Sequence, residues 1–188
     1  MNAPVRITER TQSAARLSID EFMAIVEAGV FANADRVELV DGAIVRMSPP
    51  QSRHMHYMRM VQYALYEALR GQSGFVVQPK LSLQLAHDTL RVADIGVLAP
   101  FDTASRFPDA GSVSLVVEIA DTSLQSDLSD KRFDYASAAI PHYWVVDVEG
   151  RRVHMMSTPL DGDYAERRLL AFGAPLSVPG TDQTIVID

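Results

Sequence analysis

Two stretches decide how this chain folds: Leu90-Arg91-Val92-Ala93-Asp94-Ile95-Gly96-Val97-Leu98 and Ser114-Leu115-Val116-Val117-Glu118-Ile119-Ala120. Each is an apolar run of strand length with a carboxylate set inside it. Leu115, Val116, Val117 and Ile119 surround Glu118, which is the pattern of a strand covered on both faces. A carboxylate in such a place is costly to bury unless it is paired or bound to metal. Asp94 and Glu118 are therefore candidate site residues as well as strand markers.

Working outward, residues 75–85 form a third strand-like segment, whose Pro79 predicts a bend or an edge position. Ahead of it, Pro49-Pro50 breaks the chain, and a helix is predicted from Ser52 or Arg53 to Arg70. Met55, Met58, Val61, Leu65 and Leu69 form its apolar stripe, and Gly71 ends it. After the pair of strands, residues 127–138 read as a helix stopped by Ile140-Pro141, and residues 143–148 as a strand. Strand-like runs at 153–156, 164–172 and 184–187 complete an antiparallel tail. Near the N-terminus, Ser18-Ile19-Asp20-Glu21 has the form of a capping box, with Leu17 and Phe22 placed for a hydrophobic staple. Asp41-Gly42 between Val37–Val40 and Ala43–Val45 predicts a hairpin with a type I′ turn. The expected fold is α/β: a mixed sheet flanked by helices, with an N-terminal hairpin and an antiparallel C-terminal extension. Residues 17–188 are expected to make a single domain, preceded by a flexible arm, 1–16.

The 188 residues are 47% hydrophobic and 22% charged, which excludes collagen-like, disordered and coiled-coil classes. No apolar run approaches a membrane span, and the first 16 residues lack the apolar core of a secretory signal. With no cysteine, disulfides, thiolate metal sites and a cysteine nucleophile are ruled out. A cytoplasmic protein is the default expectation. The net charge of −7 argues at first sight against a polyanionic partner. It is unevenly spread. Between 51 and 91, Arg53, Arg59, Arg70, Lys80 and Arg91 outnumber Glu67 and Asp88 and leave +3, whereas residues 92–150 carry −7. Such blocks could hold a cation beside an anionic ligand, or be only an uneven solvated surface.

Phosphate-loop, dinucleotide-fold, zinc-protease and serine-hydrolase signatures are absent. His54 and His56 stand two apart and do not share a helix face, so both read as exposed residues at a helix start. On neighbouring strands, Asp94 and Glu118 would turn their oxygens to one Mg²⁺, with Mn²⁺ as a substitute. Such an ion activates water and offsets charge on a scissile phosphate. Lys131, opening the next helix, could assist there; it could equally pair with Asp127 and Asp134 on its own helix. Glu38 is a fourth candidate, as ligand or water-positioning group, although its alternation fits a surface glutamate as well. Gln78 could border the site, or be a strand-end amide.

Taken in order, these motifs resemble a known family. Glu38-Leu39-Val40-Asp41-Gly42, Met47-Ser48-Pro49-Pro50 with His54, and Arg91-Val92-Ala93-Asp94 are similar to the Uma2 family of restriction-endonuclease-like proteins. The likeness continues through Leu115-Val116-Val117-Glu118-Ile119, Asp127, Lys131, Tyr135 and Ile140-Pro141-His142-Tyr143-Trp144-Val145-Val146-Asp147. The resemblance implies the PD-(D/E)XK nuclease fold, whose core order of helix, three strands, helix and strand is the one read between Arg53 and Val148. It implies a Mg²⁺-dependent endonuclease acting on DNA, with Asp94 and Glu118 as metal-binding catalytic residues. Ala93 stands where the family has proline, and Ala120 where the superfamily has its lysine, which makes Lys131 a relocated lysine. The sequence 120–123 departs from a Leu-Ser-Pro-Ser-like stretch, and His142 replaces a common glutamate. Arg53, Arg59 and Arg91 are candidate phosphate contacts, and a homodimer would suit cutting both strands. The rival reading is an inactive nucleic-acid- or protein-binding module on the same fold.

Overall fold

The structure is a computed structural model that describes residues 14–31, 36–100 and 104–188. Most of the expected arm, residues 1–13, lies outside the described residues. Ser18 opens α1 (Ile19–Glu27) as a capping box: its Oγ accepts from the Glu21 amide at 3.3 Å, and Glu21 Oε2 accepts from the Ser18 amide at 2.8 Å. Leu17 and Phe22 pack in one cluster, as the staple requires. Strands β1 (Arg36–Val40) and β2 (Ala43–Met47) follow. Asp41 and Gly42 take φ of 48° and 72°, the two positive values of a type I′ turn.

Helix α2 (Ser52–Leu69) leads to β3 (Val76–Ala86), β4 (Thr89–Leu98) and β5 (Val113–Ala120). Two short helices, α3 (Leu124–Leu128) and α4 (Asp130–Ser137), precede β6 (His142–Asp147). The long hairpin β7 (Arg152–Leu160) and β8 (Asp163–Ala171) comes next, then β9 (Leu176–Ser177) and β10 (Thr184–Ile185), which pair with each other in a small separate sheet. The main sheet runs β2-β1-β4-β5-β6-β7-β8, with β3 also on β4. Its pairings are antiparallel except β5 with β6. This is the mixed α/β sheet read from the sequence. No described helix is long and apolar enough to cross a membrane.

The packing has three layers. On one face Val61, Leu65 and Leu69 of α2 meet Ile95, Val117, Ile119 and Trp144. On the other, Tyr135 and Ala136 of α4 meet Val116, Ala120, Tyr143 and Val145. Strand β4 lies at the centre and is where the site forms. One of its edges is taken by β3. The other is divided, with β1 paired only at Leu90 and β5 only from Ile95 onward. Residues 91–94 thus sit in a fork between β1 and β5. The side-chain alternation also breaks here: Ala93 joins the α4-side cluster and Ile95 the α2-side cluster, although they stand two apart. On β3, Lys80 between the paired Pro79 and Leu81 has φ of 51°. The edge position expected from Pro79 is found.

Three expectations need correction. The single helix over 127–138 is two, because Ser129 leaves helical geometry with φ −115° and ψ −95°. Met55, placed in the buried stripe of α2, is exposed. The tail is longer-stranded than expected, because Asp161-Gly162 (φ 51° and 80°) makes a second tight hairpin turn that the sequence reading passed over.

Candidate active site

The fork in the sheet decides which polar groups are stranded. Where β1 and β5 part, stretches of β4 and β5 backbone lose their ladder partners, and side-chain carboxylates take their place. Glu38 Oε1 accepts from the Val92 amide at 3.0 Å, and Asp94 Oδ2 accepts from the Ile119 amide at 3.0 Å. Asp94 and Glu118 stand one residue beyond the last paired positions, Ile95 and Val117, where Asp94 reaches across to the Ile119 amide. Both are buried. Both line a cleft of ≈ 370 Å³ together with His54, Lys131, Asp121 and Ser123.

Each carboxylate has its own attendants. His54 Nε2 lies 2.9 Å from Asp94 Oδ2. Burial alone would raise the Asp94 pKa, but the His54 hydrogen bond and charge, the Ile119 amide and Lys131 outweigh it and hold it below the ordinary value. Glu118 Oε1 receives both Lys131 Nζ at 3.0 Å and the Tyr135 hydroxyl at 2.8 Å. Burial pushes Glu118 up to about 8; Lys131 opposes this, while Asp94, Asp127 and Glu38 add to it. Asp127 reaches Lys131 from the other side, 3.3 Å away, and accepts from Ser123 Oγ at 2.5 Å. Burial raises Asp127 as well, against Lys131 and Ser123. Burial would depress Lys131, yet Glu118, Asp127 and Glu38 raise it above its ordinary value, so it stays an ammonium at neutral pH.

Lys131 pairs with Asp127 and also reaches Glu118 on the strand. Asp134 instead pairs with Arg91. Lys131 is shared by Glu118 and Asp127, while Asp94 pairs with His54. Burial keeps Glu118 largely protonated near neutral pH, and a cation bound beside it would favour its ionised form. Among the described residues, no three His, Cys, Asp or Glu side chains are grouped to hold a metal by themselves. Two carboxylates open to a cleft that admits water and phosphate oxygens nonetheless fit Mg²⁺, a hard ion that keeps several waters and uses one or two carboxylates. The donor set fits the ion.

Other sequence candidates lie elsewhere. Arg91 is buried, with Nη1 donating to Glu38 Oε2 at 3.0 Å and Nε and Nη2 to Asp134 Oδ2 at 2.8 and 2.6 Å. Its guanidinium is committed on both sides, which corrects its reading as a phosphate contact. Glu38 is buried too, held by Arg91 and the Val92 amide, and does not line the cleft. Arg53 stands at the rim, half exposed and paired with Asp121. Arg59 is exposed on the outer side of α2. Gln78 donates to its neighbour's carbonyl, Pro79 O, at 3.1 Å, as a strand-end amide does.

His54 is the residue the sequence reading misplaced. It is largely buried against Asp94, and its Nδ1 is buried with no hydrogen-bond partner. A signal was present: the buried positions Val61 and Leu65, with Met58, run back at helical spacing to residue 54, not 55. Tyr135, whose hydroxyl holds Glu118, is one turn beyond Lys131 on α4, and its role could have been read from that spacing.

Comparison with known proteins agrees with this architecture. Residues 19–186 match the family model described as "Uma2: Putative restriction endonuclease". No curated protein matches the chain. A solved structure from Anabaena variabilis, described as "a putative nuclease belonging to DUF820", superposes with a TM-score of 0.64 at 17% identity, covering 87% of this chain and 89% of that one. At that identity the likeness carries the fold.

Proposed function

The chain belongs to the Uma2 family, and from that premise we propose that it is an endonuclease hydrolysing phosphodiester bonds in DNA with Mg²⁺, for which Mn²⁺ substitutes. The observation that carries this reading is Asp94 and Glu118 at the end of the β4–β5 ladder, buried, and opening with Lys131 on one cleft. Bound there, the ion would supply an activated water and neutralise charge on the scissile phosphate.

The chain's own groups have separable tasks. The Ile119 amide and His54 fix Asp94 and favour its ionised form. Lys131 and Tyr135 both engage Oε1 of Glu118, which leaves Oε2 for a cation. Lys131, kept protonated by Glu118 and Asp127, serves as a fixed positive charge toward developing negative charge and not as a base. Asp127, anchored by Ser123, is a positioning residue for Lys131. At the rim, a backbone phosphate would compete with Asp121 for Arg53.

Cleavage of supercoiled plasmid with Mg²⁺, Mn²⁺ or chelator, by wild type and by Asp94→Ala, tests the reading. Metal-dependent nicking that disappears in a variant with unchanged circular dichroism is the expected result. Binding of DNA that weakens with salt, without cleavage under any divalent ion, would instead favour a binding module.

A further inference from the structure

The outer face of α2 takes no part in the cleft. Met55, Arg59, Tyr63 and Glu67 recur along it four residues apart, with Tyr66 beside them and Arg70 capping the helix end, all of them exposed. Tyr63 is 65% exposed, Tyr66 56% and Met55 48%. Single apolar side chains on a surface are ordinary, but three large ones on one helix face make a patch of the kind that marks an interaction site. A cavity of ≈ 380 Å³ lined by Arg59, Met60 and Tyr63 opens on the same face.

We propose that this face pairs with the same face of a second copy of the chain, α2 against α2, antiparallel about a two-fold axis at Tyr63. In such an isologous contact, residues equally far before and after position 63 meet across the axis. Arg59 then faces the partner's Glu67, and the ion pair occurs twice. Met60, on the cavity wall, faces the partner's Tyr66, so a projecting ring stands over a hole. Tyr63 meets its own counterpart at the centre. A register pairing Arg70 with the partner's Glu67 would move the centre towards the helix end and leave Tyr63 facing a position beyond α2. Glu67 accepts from Arg70 of its own helix at 3.3 Å, so in the Tyr63-centred register it is shared between Arg70 and the partner's Arg59. A carboxylate on this face, Glu67, also disfavours a nucleic-acid strand as the occupant.

The proposal is independent of the nuclease reading, since mass is measured without metal or DNA. Light scattering and sedimentation of the full chain should give about twice the 20.7 kDa of one copy. Tyr63→Asp should weaken the dimer by about tenfold or more. Arg59→Glu alone and Glu67→Arg alone each make both symmetric pairs repulsive and should do the same, whereas the double swap should return the dissociation constant to within about threefold of wild type. Circular dichroism checks that each variant is folded. A wild type that stays monomeric overturns the proposal. So does a dimer indifferent to the single variants, or a double swap as dissociated as its parents. A monomer whose DNA retention falls in Tyr63→Asp would assign the face to nucleic acid instead.

Discussion

Two buried ionic clusters hang from the same strand three residues apart, and they differ in what they leave over. Around Arg91, one guanidinium is gripped by Glu38 and Asp134, with donors and acceptors paired inside the protein. Around Asp94, that carboxylate pairs with His54, while Glu118 and Asp127 share the Lys131 ammonium, and the cluster opens on a cleft. The first closes the gap where β1 leaves β4, and its buried carboxylate, Glu38, is taken up by Arg91 and the Val92 amide, away from the cleft. The second sets Asp94 and Glu118 beside a space that water and phosphate could enter. Buried charge alone does not mark function; ionisable groups with perturbed pKa values that open on a cleft are the stronger candidates.

The largest expected effect falls on the open cluster. Asp94→Asn keeps the shape and the acceptor for the Ile119 amide, so it should lower the cleavage rate by about 10³-fold while the thermal midpoint stays within a few degrees. Glu38→Ala should do the reverse: it removes one of the two carboxylates on buried Arg91 and the acceptor of the Val92 amide, and should lose about 3 kcal/mol in urea unfolding, with any residual activity following the folded fraction. If the two variants exchanged these phenotypes, the distinction between the clusters would collapse.

Metal and pH sharpen the contrast. Mg²⁺ at about 100 times its dissociation constant should stabilise the wild type by about 2.7 kcal/mol, but should leave Asp94→Asn unmoved in a calorimetric scan. Glu118 is raised to about 8 from an ordinary 4.5. Its contribution to stability is therefore complete below pH 4.5 and is lost as pH rises through 8, because the unfolded state gives up the proton first. Metal-free stability should decline over that window, and Glu118→Gln should flatten the decline. The smallest effect belongs to Tyr135→Phe, which removes one of two donors to Glu118 Oε1 and should cost about 1 kcal/mol of stability, together with weaker Mg²⁺ uptake by titration calorimetry.

The contrast also explains what could be read from the sequence. Asp94 and Glu118 were legible because a carboxylate inside an apolar strand violates its surroundings, and the violation survives without coordinates. The order of helices and strands was legible from periodicity, capping and turn residues for the same local reason. Glu38 was not, because its alternation with Val37 and Leu39 looks like a surface residue until the fork in the sheet is known. Arg91 was misread because counting charge along the chain says nothing about which carboxylates converge on it. His54 was hidden by starting the helical stripe one residue late, at Met55. The break at Ser129 has no signature in composition, yet it puts Asp127 and Lys131 on separate helices that still meet.

The account turns on where a divalent ion settles. Crystals soaked in Mn²⁺ and measured at its absorption edge should show an anomalous peak between Asp94 and Glu118, with Lys131 displaced little from Asp127. No peak there, or a peak beside Glu38 and Asp134 instead, would contradict it.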